Sequence, residues 1–253
     1  MLCYVLDNQR TSRNKNEPAQ QKQFKEIVSL SNTIVLNIKT LNVMWIKYMK
    51  ESIKVAQASL IPVVLDPVGA GAAFLRTTTD LTFLKTKAIS ALQANTSEIP
   101  GLYALTDNTK GVESTLSPDS VLEEVRHLSI RHARVVCVSG AEDYIIVQDK
   151  VFKINNGHQL MTHGTGMGCV ATSLMGAFLA VQPDLFRATI SAMNVIGIVG
   201  ELAAEQSTGP GNFSVSFLDI SAHIKKRYLI DRLRGEDVHM TSSSQHEAKG
   251  AIQ

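Results

Sequence analysis

The stretch NTIVLNIKTLNVMWIKYMKESIKVAQASLIPVVLDPVGAGA, residues 32–72, decides the fold. Two apolar, β-branched runs, NTIVLNI and IPVVLD, bracket a segment in which Trp45, Met49, Ile53 and Ala56 recur at helical spacing. Runs this short and this apolar are strands buried on both faces. Two such strands joined through a helix lie parallel, with a right-handed crossover. The second strand stops at Asp66-Pro67 and opens into glycines, which marks its carboxyl end as a rim.

The same alternation extends both ways. Residues 19–30 set Phe24, Ile27 and Val28 on one helical face. AISALQANTSEI is a weaker strand, PDSVLEEVRHLSIRH a helix and ARVVCVSG another strand. DYIIVQDKVFKINNG reads as two strands about a Gln-Asp-Lys turn. Two long apolar helices follow, from Gly168 and from Asp184, and a last helix runs over 217–234. The expected class is α/β, three-layered, a mostly parallel central sheet with helices on both faces. Residues 17–235 form one domain. Residues 1–16 are an atypical N-terminal segment open to disorder, and 236–253 a disordered tail of low hydrophobicity.

Composition narrows the function. The chain has 253 residues, 44% apolar and 19% charged, with a net charge of +2 and no basic stripe, so nucleic acid is not an expected partner. The apolar runs VVCVSG and GCVATSLMGAFLAV are too short for a bilayer, and the N-terminus lacks a signal-type hydrophobic region. Cys3, Cys137 and Cys169 have no paired spacing, which fits a reducing compartment better than a disulfide framework. The expectation is a cytoplasmic protein without a membrane partner.

In a parallel sheet, ligands bind beyond the carboxyl ends of the strands. Asn37, Asp66, the segment 93–98 and Ser139-Gly140 all fall at such ends, so they should converge. Asp66 and Glu98 are carboxylates at one rim, a pairing suited to magnesium, which takes hard oxygen ligands. By itself, Glu98 also reads as a charge favouring a helix N-terminus. HGTGMGCVATSLMGAFLA, residues 163–180, is a glycine-rich turn entering a helix. Gly164, Gly166 and Gly168 would bare backbone N–H groups to a phosphoryl group. DPVGAGAA offers a second such turn. Neither is a Walker sequence, because no Gly-Lys-Ser/Thr follows. His163 has no ligand-like spacing and reads as a loop residue.

Taken in order, IVLNIKTLN, IPVVLDPVGAGA, NTSEI, VVCVSGAEDYII, NGHQLMTHGTGMGCVATSLMGAF and GPGNFSVSFLD resemble the signature blocks of the hydroxyethylthiazole kinases of thiamine salvage. The most specific is Gly-Thr-Gly-Met-Gly-Cys, residues 164–169, where the wider ribokinase-like superfamily usually carries Asp in place of the cysteine. The resemblance implies a ribokinase-like fold and a homotrimer with sites at subunit interfaces. It implies transfer of the γ-phosphoryl of MgATP to the hydroxyl of 4-methyl-5-(2-hydroxyethyl)thiazole. Cys169, Gly168 and Gly166 match the catalytic positions, and Gly166 and Asn37 the thiazole contacts. Gln93, Asn95, Ser139 and Gly140 match the nucleotide contacts, and Asp66 and Glu98 the magnesium positions. The alternatives are a hydroxymethylpyrimidine-type kinase and a catalytically weakened nucleotide-binding paralogue.

The match departs from the family pattern in places. The usual opening strand is not found, which would leave a sheet edge unpaired. Asn14 stands nearest an expected methionine. Lys39 replaces a glycine, and Gln93-Ala94-Asn95 stands for Arg-Gly-Asn, which removes a guanidinium.

Overall fold

The computed structural model describes residues 3–6, 17–106, 118–164 and 166–238. Its sheet has eight strands in sequence order: β1 (Cys3–Leu6), β2 (Thr33–Asn37), β3 (Val63–Asp66), β4 (Ala91–Asn95), β5 (Val135–Ser139), β6 (Asp143–Val147), β7 (Lys150–Ile154) and β8 (Gly235–Val238). The first five pair in parallel. The last three add antiparallel, β6 and β7 as a hairpin about Gln148-Asp149.

Strand parity sorts the core into two layers. Ile34 and Leu36, Val63 and Leu65, Leu92 and Ala94, and Val136 and Val138 face one way. They meet α1 (Glu17–Leu30), α2 (Val43–Ala58), α3 (Phe74–Leu84), α4 (Ile99–Thr106) and α5 (Pro118–Arg131). Val35, Val64, Ala91, Val135 and Cys137 face the other way, against α7 (Met167–Leu179), α8 (Leu185–Glu205) and α9 (Pro210–His223). The expected three-layer arrangement is therefore present. Each fully buried Leu or Ile in these layers contributes roughly 1.5–3 kcal/mol. Among the described residues, α8 is the one helix long and apolar enough to cross a membrane. Its Ala188, Ala192, Met193, Ile196, Val199 and Ala203 lie in the core instead.

Several expectations are corrected. The opening strand is present: Cys3–Leu6 pairs with Thr33–Leu36 and covers the edge of β2. Four residues of the run CYVL suffice, too few to show a period. Asn14 lies outside the described residues. The chain does not leave the sheet at 235, because Gly235–Val238 pairs with Val151–Ile154 and places the start of the expected tail inside β8. The single last helix is two, α9 and α10 (Lys226–Arg232), separated where Ile224 and Lys225 turn extended. His163 ends the one-turn helix α6 (Leu160–His163) rather than lying in a loop.

Helix α3 was not legible at all. Its run RTTTD is rich in weak helix formers. Thr77, Thr78, Thr79 and Thr82 turn their hydroxyls back onto carbonyls four residues earlier, and packing of Leu81, Phe83 and Leu84 overrides propensity.

Candidate active site

The parity that builds the core also builds the site. Asn37 continues the face of Val35, Asp66 that of Val64, Gln93 that of Ala91, and Ser139 that of Val135 and Cys137. Four polar side chains therefore leave the carboxyl ends of four adjacent strands toward α7. In the sheet register Asn37 stands opposite Asp66, and Asn95 opposite Ser139.

These groups form one hydrogen-bonded line. Asn37 Nδ2 donates to Asp66 Oδ2 at 2.7 Å and to Cys169 Sγ at 3.1 Å. Asn37 Oδ1 accepts from the Lys39 amide, which fixes the orientation of the side-chain amide. The Thr172 hydroxyl lies 3.0 Å from Asp66 Oδ2 and 2.8 Å from Gln93 Oε1. Gln93 Nε2 donates to Ser139 Oγ at 3.1 Å. Cys169, Asn37, Asp66, Thr172, Gln93 and Ser139 are thus continuous across β2 to β5.

Burial sets the charge state of this line. Asp66 is 5% exposed, and its pKa is raised to about 7, first by burial and further by the nearby charge of Glu98. The Thr172 and Asn37 hydrogen bonds and the charge of Lys39 pull the other way. The exposed Lys39 at the departed glycine position thus sets a cation near the acidic rim.

Glu98 precedes α4 and ties two loops together. Its Oε1 accepts from the Gly69 amide at 2.9 Å and its Oε2 from the Asn95 amide at 3.0 Å. The Asn95 side chain caps the same turn, accepting from Ser97 N and Glu98 N. The loop after β3 can sit this low because Gly71 and Gly101 touch backbone to backbone, where a Cβ on Gly101 would come within 2.5 Å of Gly71 Cα. Gly140 is exposed, and its amide donates to Asp143 Oδ1.

On the facing side, Gly166 is the N-cap of α7 at φ +89°, a left-handed backbone that favours glycine. Cys169 is the third residue of the helix. A Cβ at Gly166 or Gly168 would meet nothing within 4 Å, so open space lies in front of the first turn. Free amides of a helix start bordering such a space suit an anion.

A family model described as the hydroxyethylthiazole kinase family matches residues 18–227. The chain belongs to this family. Hydroxyethylthiazole kinase of Syntrophus aciditrophicus is 40% identical over 215 residues, covering 85% of this chain and 80% of the relative. That of Leptospira biflexa is 42% identical over 198 residues, covering 78% and 74%. The solved hydroxyethylthiazole kinase of Pyrococcus horikoshii superposes with a TM-score of 0.78 at 29% identity, over 94% of both chains. Pyridoxal kinase of Staphylococcus aureus, solved with AMP-PCP and pyridoxal, shares the fold with a TM-score of 0.62 at 17% identity.

Within this hydroxyethylthiazole kinase family member, the structure brings Asn37, Asp66, Gln93, Ser139 and Cys169 together. Gln93 differs in manner. It is 3% exposed, with both ends of its amide held by Thr172 and Ser139, so it lies beneath the rim. Three contributors were missed. Thr172 carried a weak signal, being one turn from Cys169 on the same helix face. Arg76 donates to the carbonyls of Val68 and Lys39 and staples the loops after β2 and β3. Asp80 is completely buried with neither oxygen hydrogen-bonded within the described residues. Its pKa is driven well up by burial and then by Glu98 and Asp66.

The donor set fits magnesium. Asp66 Oδ1 stands outside the hydrogen bonds above, and each Glu98 oxygen accepts one of them, leaving acceptor capacity. No group of three or more His, Cys, Asp or Glu among the described residues forms a metal cage. A cation held by one or two carboxylates, water and phosphates requires none.

Proposed function

We propose that this chain transfers the γ-phosphoryl group of MgATP to the primary hydroxyl of 4-methyl-5-(2-hydroxyethyl)thiazole. The observation that carries the reading is the single Asn37 nitrogen that touches both Cys169 Sγ and Asp66 Oδ2. It joins a helix start open to an anion with a strand end carrying a carboxylate. Phosphoryl transfer runs through a loose transition state, so positioning and charge neutralisation dominate over covalent chemistry.

In this reading Cys169 lies beside the accepting hydroxyl, and the amides of Gly166 and Gly168 receive the phosphoryl oxygens. Gly166 and Asn37 border the thiazole alcohol. Ser139, Gly140 and Asn95 face the nucleotide, with Gln93 holding Ser139 from below. Magnesium, when bound, neutralises phosphate charge; Asp66 and Glu98 hold it. The Cys169 thiol can share the hydroxyl's proton only as a minor contributor, because positioning dominates.

A homotrimer with shared sites fits the surface. Val43 and Met44 open α2, and Phe74 and Leu75 open α3, directly after the two rim loops; all four are exposed, Phe74 by 84%. Apolar side chains grouped beside a site suit burial by another copy. Cys169 takes part in no disulfide among the described residues, which suits the reducing cytoplasm.

An ADP-release assay with the thiazole alcohol and MgATP tests the reading, run beside hydroxymethylpyrimidine and beside calorimetric nucleotide binding. Turnover is expected with the thiazole alcohol. Turnover confined to other alcohols, or binding without turnover, overturns it. The mass of the assembled protein in solution tests the trimer.

A further inference from the structure

Thr172 is fully buried, and its hydroxyl stands near three acceptors: Asp66 Oδ2, Gln93 Oε1 and the Gly168 carbonyl at 2.8 Å. A hydroxyl has one hydrogen, so it serves one acceptor well at a time. Its neighbours have less freedom. Asn37 Oδ1 is bound by Lys39 N, which turns Nδ2 toward Asp66 and Cys169. Gln93 Nε2 is bound to Ser139, which turns Oε1 toward Thr172. Thr172 is therefore the joint in mid-line whose rotatable hydrogen lies within reach of both Asp66 and Gln93. Like Cys169, it is borne by α7, the helix that presents Gly168.

We propose that Thr172 is a positioning residue coupling the carboxylate end of the site to its nucleotide end, an assignment that rests on the kinase reading above. The hydrogen can rest on Asp66 Oδ2 or on Gln93 Oε1; a cation drawing on the Asp66 carboxylate would weaken the first acceptor and favour the second. That bond fixes the amide that holds Ser139 against the nucleotide.

The experiment compares Thr172→Val, isosteric but without the hydroxyl, with Thr172→Ser, which keeps it. The valine variant is expected to lose roughly 10–100-fold in kcat/KM for MgATP, the scale of a small misplacement of reacting groups. Its KM for the thiazole alcohol should stay within about 2-fold. The serine variant should stay within about 3-fold of wild type, because the hydroxyl rather than the methyl carries the role. Thr172→Ala against Thr172→Ser differs by the hydroxyl alone and decides the matter if the valine variant does not fold.

A cycle of Thr172→Val with Ser139→Ala, read as MgATP affinity by calorimetry, should be non-additive. Wild-type kcat/KM in the valine and alanine variants, a serine variant as damaged as they are, or additivity in the cycle overturns the proposal. A wild-type chain that binds MgATP but does not phosphorylate the thiazole alcohol sinks the kinase reading, while the calorimetric cycle still decides the coupling. One that binds no MgATP overturns both.

Discussion

Gly101→Ala tests how closely the acidic rim depends on one backbone contact. A methyl built on Gly101 would stand 2.5 Å from Gly71 Cα, 2.7 Å from Gly71 N and 3.2 Å from the Ala70 carbonyl carbon. Carbon atoms pack at about 3.5–4.0 Å, so the loop after β3 must withdraw by about 1 Å. That loop carries the Gly69 amide, which donates to Glu98 Oε1 at 2.9 Å. A retreat of this size takes the pair beyond hydrogen-bonding distance. Overpacking of this kind costs about 1–3 kcal/mol. For a chain of this length it lowers Tm by roughly 2–10 °C.

The catalytic effect should exceed what stability alone dictates. A displacement of about 1 Å in a group that positions the reaction can reduce rate by roughly 100-fold. The assay is ADP release at saturating MgATP, below the melting range, beside a thermal melt. Gly211→Ala is the control, since the same methyl there meets nothing within 4 Å. Wild-type kcat/KM in a Gly101→Ala protein whose Tm has fallen would refute the reasoning: the loop would have moved without disturbing the site.

Asp80→Asn should stabilise the protein at neutral pH, because the amide, although still buried, has no ionised form to suppress. Because its folded pKa is raised, Asp80 stabilises the fold below the unfolded carboxylate range, and that contribution is lost as pH rises. Melts from pH 4 to 8 should show a flatter slope in the variant, and parallel curves would count against it. Asp66, raised to about 7, should give an acid limb near that pH at limiting magnesium. Saturating magnesium should move the limb lower, because a bound cation favours the carboxylate; pH–rate profiles at two magnesium concentrations check this. Cys169→Ser should lose less kcat/KM than Asp66→Ala or Gly166→Val, since positioning outweighs thiol chemistry and φ +89° at Gly166 resists a β-branched residue. A dead serine variant beside an active valine variant reverses that ordering.

What the sequence revealed and what it hid follow from one physical difference. Strands β2 to β5 are buried on both faces, so their apolar runs stand out and their last polar residues mark the rim. Asn37, Asp66, Gln93 and Ser139 were legible for that reason. Cys169 was legible because the glycine-rich turn at the start of its helix resembles the family's signature block. Thr172, Arg76 and Asp80 were hidden because each acts through tertiary partners that local pattern cannot supply. Thr172 reaches residues 106 and 79 positions away, and Arg76 a carbonyl 37 positions away.

β1 was hidden for a related cause. Its four residues gain strand character by pairing with β2, and a run that short declares no period. Gln93 shows the finer limit. Its place in the strand was readable, but not that its amide points into the protein. A substitution judged by what it removes, here a guanidinium, says little about what its replacement joins. In this chain the replacement joins Ser139 to Thr172, so the Ser139 end of the line is held by a neutral, buried amide. In the kinase reading proposed above, affinity for the triphosphate would then rest on the helix start, on magnesium at Asp66 and Glu98, and on the exposed Lys39.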